Sequence, residues 1–115
     1  ALVLAHHAQV TDKLLFGSNE SVLIPTARQV TNRIGQLLVA LQIERVRVDG
    51  HTDATGTEAT NRRLSKSRAD SVKSFLQAEF GLSNIETVGR SSDKLRDLDN
   101  PESAMNRRVE FVPEW

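Results

Sequence analysis

One stretch of the sequence, "GHTDATGTEATNRRLSKSRADS" from Gly50 to Ser71, concentrates side chains that could do chemistry. It places a histidine, His51, an aspartate, Asp53, and an arginine, Arg68, around one predicted turn between a strand and a helix. Such a set could ligate a metal, catalyse a reaction, bind a charged ligand or face water. Each interpretation makes its own demands on the neighbouring residues.

A metal site is the first interpretation, because His51 and Asp53 are two residues apart and share a face if the strand continues. A zinc site needs three or four protein ligands. The other histidines, His6 and His7, lie in an amino-terminal segment, residues 1–9, that we expect to be flexible. We therefore predict no metal and no cofactor, and we expect His51 to form hydrogen bonds within the loop.

Catalysis would require a nucleophile beside a base, or two carboxylates at a suitable separation. Ser65 and Ser67 lie on the predicted helix, where spacing places no histidine or carboxylate to activate them. Asp53, Glu58 and Asp93 offer no carboxylate pair, and "GHTDATG" lacks the lysine and hydroxyl of a phosphate-binding loop. The residues therefore argue against an enzyme.

Asp53 and Arg68 are better candidates for a binding site. Asp53 ends a predicted strand and Arg68 lies about two to three turns into the next helix, so both side chains can reach one crevice at the carboxyl end of the strand. An acid beside a guanidinium suits a zwitterionic ligand, with an ammonium for the aspartate and a carboxylate for the arginine. Spacing alone favours the alternative, a plain internal salt bridge.

The composition limits the partners of the protein. Lysine plus arginine equals aspartate plus glutamate at 15 each, so no net field draws the chain to nucleic acid or to an anionic membrane. There is no cysteine, which excludes disulfides and thiolate chemistry. No apolar run approaches the roughly 20 residues of a membrane helix, and the opening "ALVLAHHAQ" resembles neither a signal peptide nor an anchor. We expect any membrane attachment to come from a tether outside this sequence.

At 115 residues the chain is predicted to form one domain, spanning residues 10–115. Apolar patterns and turn residues predict four strands, at Val10–Phe16, Ile43–Asp49, Asn84–Gly89 and Arg107–Val112. Pro113 is expected to stop the last strand, and a long surface loop is expected from residue 90 to residue 103.

Apolar residues at spacings of three and four predict two helices. The first runs from Pro25 to about Ala40, and the second begins near Thr55 or Thr57, either of which can act as the cap, and ends at Gly81. The order strand, helix, strand, helix, strand, strand predicts an α/β fold of the α+β type, a two-layer sandwich in which both main helices cover one face of a mixed sheet.

Three motifs in this order resemble one known family. "GHTDATG" from Gly50, "NRRLSKSRADSV" from Asn61 and "NRRVEF" from Asn106 are similar to the OmpA-like carboxyl-terminal domain of outer-membrane proteins, peptidoglycan-associated lipoproteins and flagellar stator proteins. The family pattern is roughly G-H-T-D, then N-x-x-L-S-x-x-R-A, then N-R-R-V, and this chain matches each of these letters. The likeness covers about Val10 to Val112.

The resemblance implies non-catalytic binding of peptidoglycan through the meso-diaminopimelate residue of its stem peptide. It makes Asp53 and Arg68 the residues that hold the amino and carboxylate groups of the ligand. The further ligand-binding candidates are Asn61, Leu64, Thr57, Arg107, Ser18 and Asn19. The last two belong to "FGSN", which replaces the family's F-D-F-D and would contribute through backbone amides.

The resemblance also implies a place and a context for the domain. Peptidoglycan lies in the periplasm of the Gram-negative cell envelope, where such a domain joins a membrane-tethered protein to the wall. A homodimer is expected by analogy with stator proteins. Two alternatives remain open: a degenerate relative that binds a protein partner, with Asp53 and Arg68 as a structural bridge, and a hydrolase that acts on the wall.

Overall fold

In the computed structural model, which describes residues 8–114, four strands form a single mixed sheet. The strands are β1 (Ala8–Thr11), β2 (Arg45–His51), β3 (Ile85–Gly89) and β4 (Arg108–Glu114), and their order across the sheet is β1-β4-β2-β3. β2 and β3 run parallel, whereas β4 is antiparallel to both β1 and β2. The motif "GHTDATG" therefore begins in β2 and the motif "NRRVEF" continues into β4, and these are the two central strands.

Two helices, α1 (Ala27–Ala40) and α2 (Glu58–Phe80), pack on one face of this sheet. Alternate residues of β2 and β4, among them Val48 and Phe111, point into the layer between sheet and helices. The buried apolar core consists of Val10, Leu15, Phe16, Ala27, Ile34, Leu38, Ile43, Val46, Val48, Ala69, Val72, Leu76, Ile85, Val109 and Phe111. The predicted α+β sandwich and the predicted order of elements are confirmed.

The ends of α2 follow from local sequence signals. Thr57 is the N-terminal cap, and its side-chain oxygen accepts a hydrogen bond from the backbone N–H of Thr60. Gly81 ends the helix in the left-handed conformation, with φ of 66°, where glycine has no steric penalty. Of the two predicted caps, Thr57 is therefore the one used.

The strand boundaries differ from the prediction, by one or two residues at the ends of β2 and at the starts of β3 and β4, and more clearly at β1 and at the end of β4. The strand expected at Val10–Phe16 is wrong, because β1 ends at Thr11 and Asp12–Leu14 form a 3₁₀ turn. The backbone N–H groups of Leu15 and Phe16 donate hydrogen bonds to the carbonyl of Asp12. Pro113 does not stop β4, which continues to Glu114. Pro113 pairs with Val46 of β2, and the pairs of β4 with the described part of β1 reach as far as Phe111.

The amino-terminal segment predicted to be flexible, residues 1–9, falls mostly outside the described residues. Its last two residues, Ala8 and Gln9, belong to β1 and pair with Phe111 and Glu110 of β4. His6 and His7 lie outside the described residues. Neither helix within residues 8–114 combines the length and the apolar character that a membrane span needs.

Two glycines let α2 approach the sheet closely. A Cβ atom at Gly50 would lie 2.1 Å from the carbonyl oxygen of Ser65, and one at Gly89 would lie 2.7 Å from the backbone nitrogen of Lys66. Gly50 and Gly89 are partners in the β2–β3 register. Because neither glycine has a side chain, the first half of α2, and with it Arg68, packs closely against the carboxyl end of β2.

Candidate functional site

A cavity of about 350 Å³ opens where β2 ends, beside the first half of α2 and the loop that follows β1. Its lining combines charged, polar and apolar side chains from four separate parts of the chain. The lining residues are Asp12, Lys13, Phe16, Ser18, Asn19, Thr52, Asp53, Thr55, Asn61, Leu64, Arg68 and Arg107. The two residues that the sequence singled out, Asp53 and Arg68, therefore share one cavity.

Arg68 is held rigidly in the cavity wall. Its residue is 3% exposed, and its guanidinium lies over the ring of Phe16, 4.9 Å from the centroid. Nε donates to the carbonyl of Glu20 at 2.9 Å and Nη2 to the carbonyl of Gly17 at 3.3 Å. The loop after β1 thus wraps around the arginine head and fixes its direction.

Asp53 also lines the cavity and is 4% exposed. Its carboxylate accepts hydrogen bonds from the backbone N–H and the hydroxyl of Thr55 and from Nη1 of Arg107. Burial raises the pKa of Asp53, but the bonds from Thr55 and Arg107 outweigh it and hold that pKa below the usual range of an aspartate. Asp53 is therefore a carboxylate at neutral pH.

Asp12 connects these two residues. Its carboxylate accepts from Nη1 of Arg68 at 3.1 Å and lies 3.4 Å from Nε of Arg107. The charges consequently alternate along one chain of contacts, from Asp53 to Arg107, to Asp12 and to Arg68. The direct Asp53–Arg68 salt bridge that spacing favoured is replaced by this chain of three ion pairs.

The loop between β3 and β4 supports the turn that contains Asp53. Asn106, with no exposed surface, donates to the carbonyls of Asp97, Asn100 and Pro101, and its side-chain oxygen accepts from the N–H of Asp97 at 2.7 Å. The carbonyl of Pro101 in turn accepts from the N–H of Ala54 at 2.9 Å. The predicted surface loop is therefore an organised segment that contacts the site.

The structure brings most of the predicted site residues together. Besides Asp53 and Arg68, the lining includes Asn61, Leu64, Arg107, Ser18 and Asn19. Asn61 also donates to the carbonyl of Thr55 at 2.7 Å, which ties α2 to the Asp53 turn. Thr57 is the exception, because it is not among the lining residues and its hydroxyl caps α2.

Sequence reasoning missed five of the lining residues: Asp12, Lys13, Phe16, Thr52 and Thr55. One signal could have identified Asp12, since an aspartate inside an apolar run is unfavourable in a strand and needs a charged or hydrogen-bonding partner when it is buried. The aspartate within the run "VTDKLLF" therefore argues against the strand prediction.

His51 belongs to the other face of the sheet. It lies in β2, so the predicted hydrogen bonds within a loop are wrong, and its ring nitrogens have no hydrogen-bond partner within residues 8–114. Burial and the nearby Arg108 lower its pKa to about 4, against the opposing effect of Glu110, whose Oε1 lies 3.4 Å from Nε2. Within the described residues, no group of three or more histidines and carboxylates is placed to hold a metal ion.

Comparison with known proteins identifies the family. The family model for the OmpA family matches residues 15–108 of this chain. The chain belongs to the OmpA family. The matched range includes every lining residue of the cavity except Asp12 and Lys13. The prediction of a non-catalytic domain of this family is thereby confirmed.

Two named relatives of this OmpA-family chain are bacterial proteins. The outer-membrane lipoprotein YfiB of Pseudomonas aeruginosa is 38% identical over 107 residues, covering 90% of this chain and 63% of that protein. The peptidoglycan-binding protein ArfA of Mycobacterium tuberculosis is 39% identical over 102 residues, covering 86% of this chain and 31% of that protein. The chain therefore spans less than two thirds of the length of these curated relatives.

A solved structure agrees with the fold. The cell wall anchor of the T6SS from Pseudomonas aeruginosa superimposes with a TM-score of 0.78 at 27% identity, covering 92% of this chain and 80% of that one. The OmpA-like domain of FopA1 from Francisella tularensis superimposes with a TM-score of 0.76 at 20% identity, covering 93% of this chain and 72% of that one. The mixed four-stranded sheet with two helices is thus the OmpA-like fold.

Proposed function

We propose that this OmpA-family domain binds peptidoglycan through the meso-diaminopimelate residue of the stem peptide, and that it thereby joins a larger envelope protein to the wall in the periplasm of a Gram-negative bacterium. The observation that carries the proposal is the shared cavity, which a buried carboxylate and a buried guanidinium, Asp53 and Arg68, both line. A free amino-acid end, with one ammonium and one carboxylate, matches this pair in charge.

The existing contacts leave capacity for a ligand. Arg68 uses three N–H groups on Asp12, Gly17 and Glu20, and a guanidinium has two more, which have no acceptor within residues 8–114. Those two can donate to a carboxylate. The carboxylate of Asp53 accepts from Thr55 and Arg107 but has lone pairs left for an ammonium.

The size and lining of the cavity suit one amino acid side chain. At about 350 Å³ the cavity is near the lower end of the usual range for ligand pockets. Phe16 and Leu64 add apolar surface between the charged groups, which fits the methylene chain that joins the two ends of diaminopimelate. Asn61 and the backbone near Ser18 and Asn19 supply further polar contacts.

Weak binding at one such site is compatible with wall attachment. Peptidoglycan repeats the stem peptide along a polymer, so a domain that is tethered to a membrane, or a homodimer, gains avidity without any new contact.

Pull-down on purified sacculi tests the proposed function. Wild type should be retained and should be released by soluble stem peptide, whereas Asp53→Asn and Arg68→Lys should each lose binding by tens-fold or more, because one ligand charge then lacks its matched partner. Asp99→Asn and Arg63→Lys are matched controls, since both residues are exposed and neither lines the cavity.

Three results would count against the proposal. Retention on sacculi that the peptide does not compete would favour the protein-partner alternative. Release of soluble wall fragments would revive the hydrolase. Unchanged binding by both site variants, with circular dichroism and urea unfolding showing that they fold, would remove Asp53 and Arg68 from the site.

A further inference from the structure

Among the cations that line the cavity, Lys13 is the one without an ion pair to a described residue. The lining contains three cations, Lys13, Arg68 and Arg107, and two anions, Asp12 and Asp53. Both arginines are paired with the aspartates. Lys13 is exposed and has no hydrogen bond or ion pair with any residue between 8 and 114.

The position of Lys13 is fixed although its head group is free to move. It follows Asp12 directly, in the 3₁₀ turn whose backbone is bonded to Arg107 through the N–H of Asp12 at 3.0 Å. The stem of Lys13 therefore starts one residue from the centre of the ionic network. Its flexible four-carbon chain carries a point charge at the cavity.

The charges of the lining define the ligand more closely than the Asp53–Arg68 pair does. The two ion pairs balance, so Lys13 gives the lining a net charge of one positive unit. A zwitterion brings no net charge and leaves Lys13 uncompensated. A ligand with one ammonium and two carboxylates compensates all three cations.

Resting on the proposed function, we propose that Lys13 binds a second carboxylate of the stem peptide, next to the diaminopimelate end that Asp53 and Arg68 hold. The site then distinguishes peptides in which that carboxylate is free from peptides in which it is an amide. Lys13 is in this way a specificity-determining residue for the amidation state of the wall.

The stem tripeptide L-alanyl-γ-D-glutamyl-meso-diaminopimelate offers two sources for the second carboxylate. One is the α-carboxylate of its glutamate, and the other is the main-chain carboxylate of diaminopimelate. Two derivatives, each with one of these groups as an amide, separate the two sources. The end of diaminopimelate that Asp53 and Arg68 hold keeps its ammonium and its carboxylate in both derivatives.

The test is a calorimetric titration of the three peptides into wild type, Lys13→Gln and Lys94→Gln. Lys94 is an exposed lysine that does not line the cavity, so its variant loses the same charge elsewhere. Wild type should bind the unmodified tripeptide about two- to fivefold more tightly than one of the two amides, the range expected for an exposed ion pair. Lys13→Gln should lose this preference, Lys94→Gln should keep it, and added salt should reduce it.

Each other outcome overturns the inference and says what else fails. If wild type binds all three peptides equally, or if Lys13→Gln keeps the preference, Lys13 does not bind a carboxylate of the ligand. The proposed function would still stand in that case if Asp53→Asn loses binding of the tripeptide. If wild type binds none of the peptides, the proposed function fails as well.

Discussion

Asp53 and Arg68 line one cavity, and each is paired with a different residue: Asp53 with Arg107, and Arg68 with Asp12. Because Asp12 also lies 3.4 Å from Arg107, the four side chains form one chain of alternating charge. The network that these four side chains form is consequently neutral before a ligand arrives. Its side chains are held in place by their own contacts, which lowers the ordering cost of binding.

Asp12 should be the most sensitive member of this network. Asp12→Asn leaves the buried guanidinium of Arg68 and the partly exposed one of Arg107 with one carboxylate instead of two, and removing one partner of a buried pair costs about 3 to 5 kcal/mol. The carbonyls that also bind Arg68 should keep the loss near the lower end. Urea unfolding of the variant, beside the exposed control Asp99→Asn, measures this loss, and equal stability of the two would contradict the role of Asp12.

Asn106 should hold the loop that supports Asp53. Asn106→Ala removes an amide that donates to three loop carbonyls, and unmade buried hydrogen bonds cost about 1 to 3 kcal/mol. The N–H groups of Ala54 and Asp97 should then exchange with solvent faster, because their protection depends on this loop. Hydrogen exchange followed by NMR checks this, with Asn100→Ala as the control whose side chain is exposed. Unchanged protection of Ala54 would show that the loop does not support the turn.

Much of the fold could be predicted because it depends on local patterns. The alternation of Val46 and Val48 indicates β2, and Thr57 and Gly81 mark the ends of α2, since each signal acts within a few residues. The strand at Val10–Phe16 was wrong because Asp12 is drawn into contacts with Arg68 and Arg107. Those partners are distant in the sequence, so a local pattern does not reveal them.

The arrangement of the site depended on distant pairs. Asp12 and Arg68 are 56 residues apart, and Asp53 and Arg107 are 54 apart. Spacing placed Asp53 and Arg68 at one crevice, but it could not tell which opposite charge each of them would meet. That choice is made by the packing of the β1 loop and of β4 around the end of β2.

Gly50 should be intolerant of a side chain. In Gly50→Ala the new Cβ would lie 2.1 Å from the backbone carbonyl of Ser65, so α2 must move away from the sheet and carry Arg68 with it. We expect a loss of about 1 to 3 kcal/mol in the free energy of unfolding, together with weaker retention on sacculi. Gly81→Ala is the contrast, because it strains a left-handed cap without meeting any atom within 4 Å and should lower stability while sparing binding. Normal binding by Gly50→Ala would show that α2 need not pack so closely.

His51 should make stability depend on pH. Its pKa is about 4 in the fold, whereas the ordinary value is 6.5, so the unfolded chain binds a proton between these pH values and the folded protein does not. Lowering the pH from 6.5 to 4 therefore favours unfolding, and the shift corresponds to roughly 3 kcal/mol at its full extent. Burial is the main cause, followed by Arg108, while Glu110 and Asp49 oppose the shift.

The variant His51→Gln isolates this effect, since carboxylates that titrate in the same range are common to both proteins. Urea unfolding at several pH values should show wild type losing stability relative to His51→Gln as the pH falls from 7 to 4, with the difference levelling off below pH 4. NMR titration of the histidine ring protons, with the His51 signal assigned by its absence from the variant, gives the pKa directly. A His51 that titrates near 6.5 would mean that its ring is hydrated in solution, because desolvation in the sheet is what keeps it neutral.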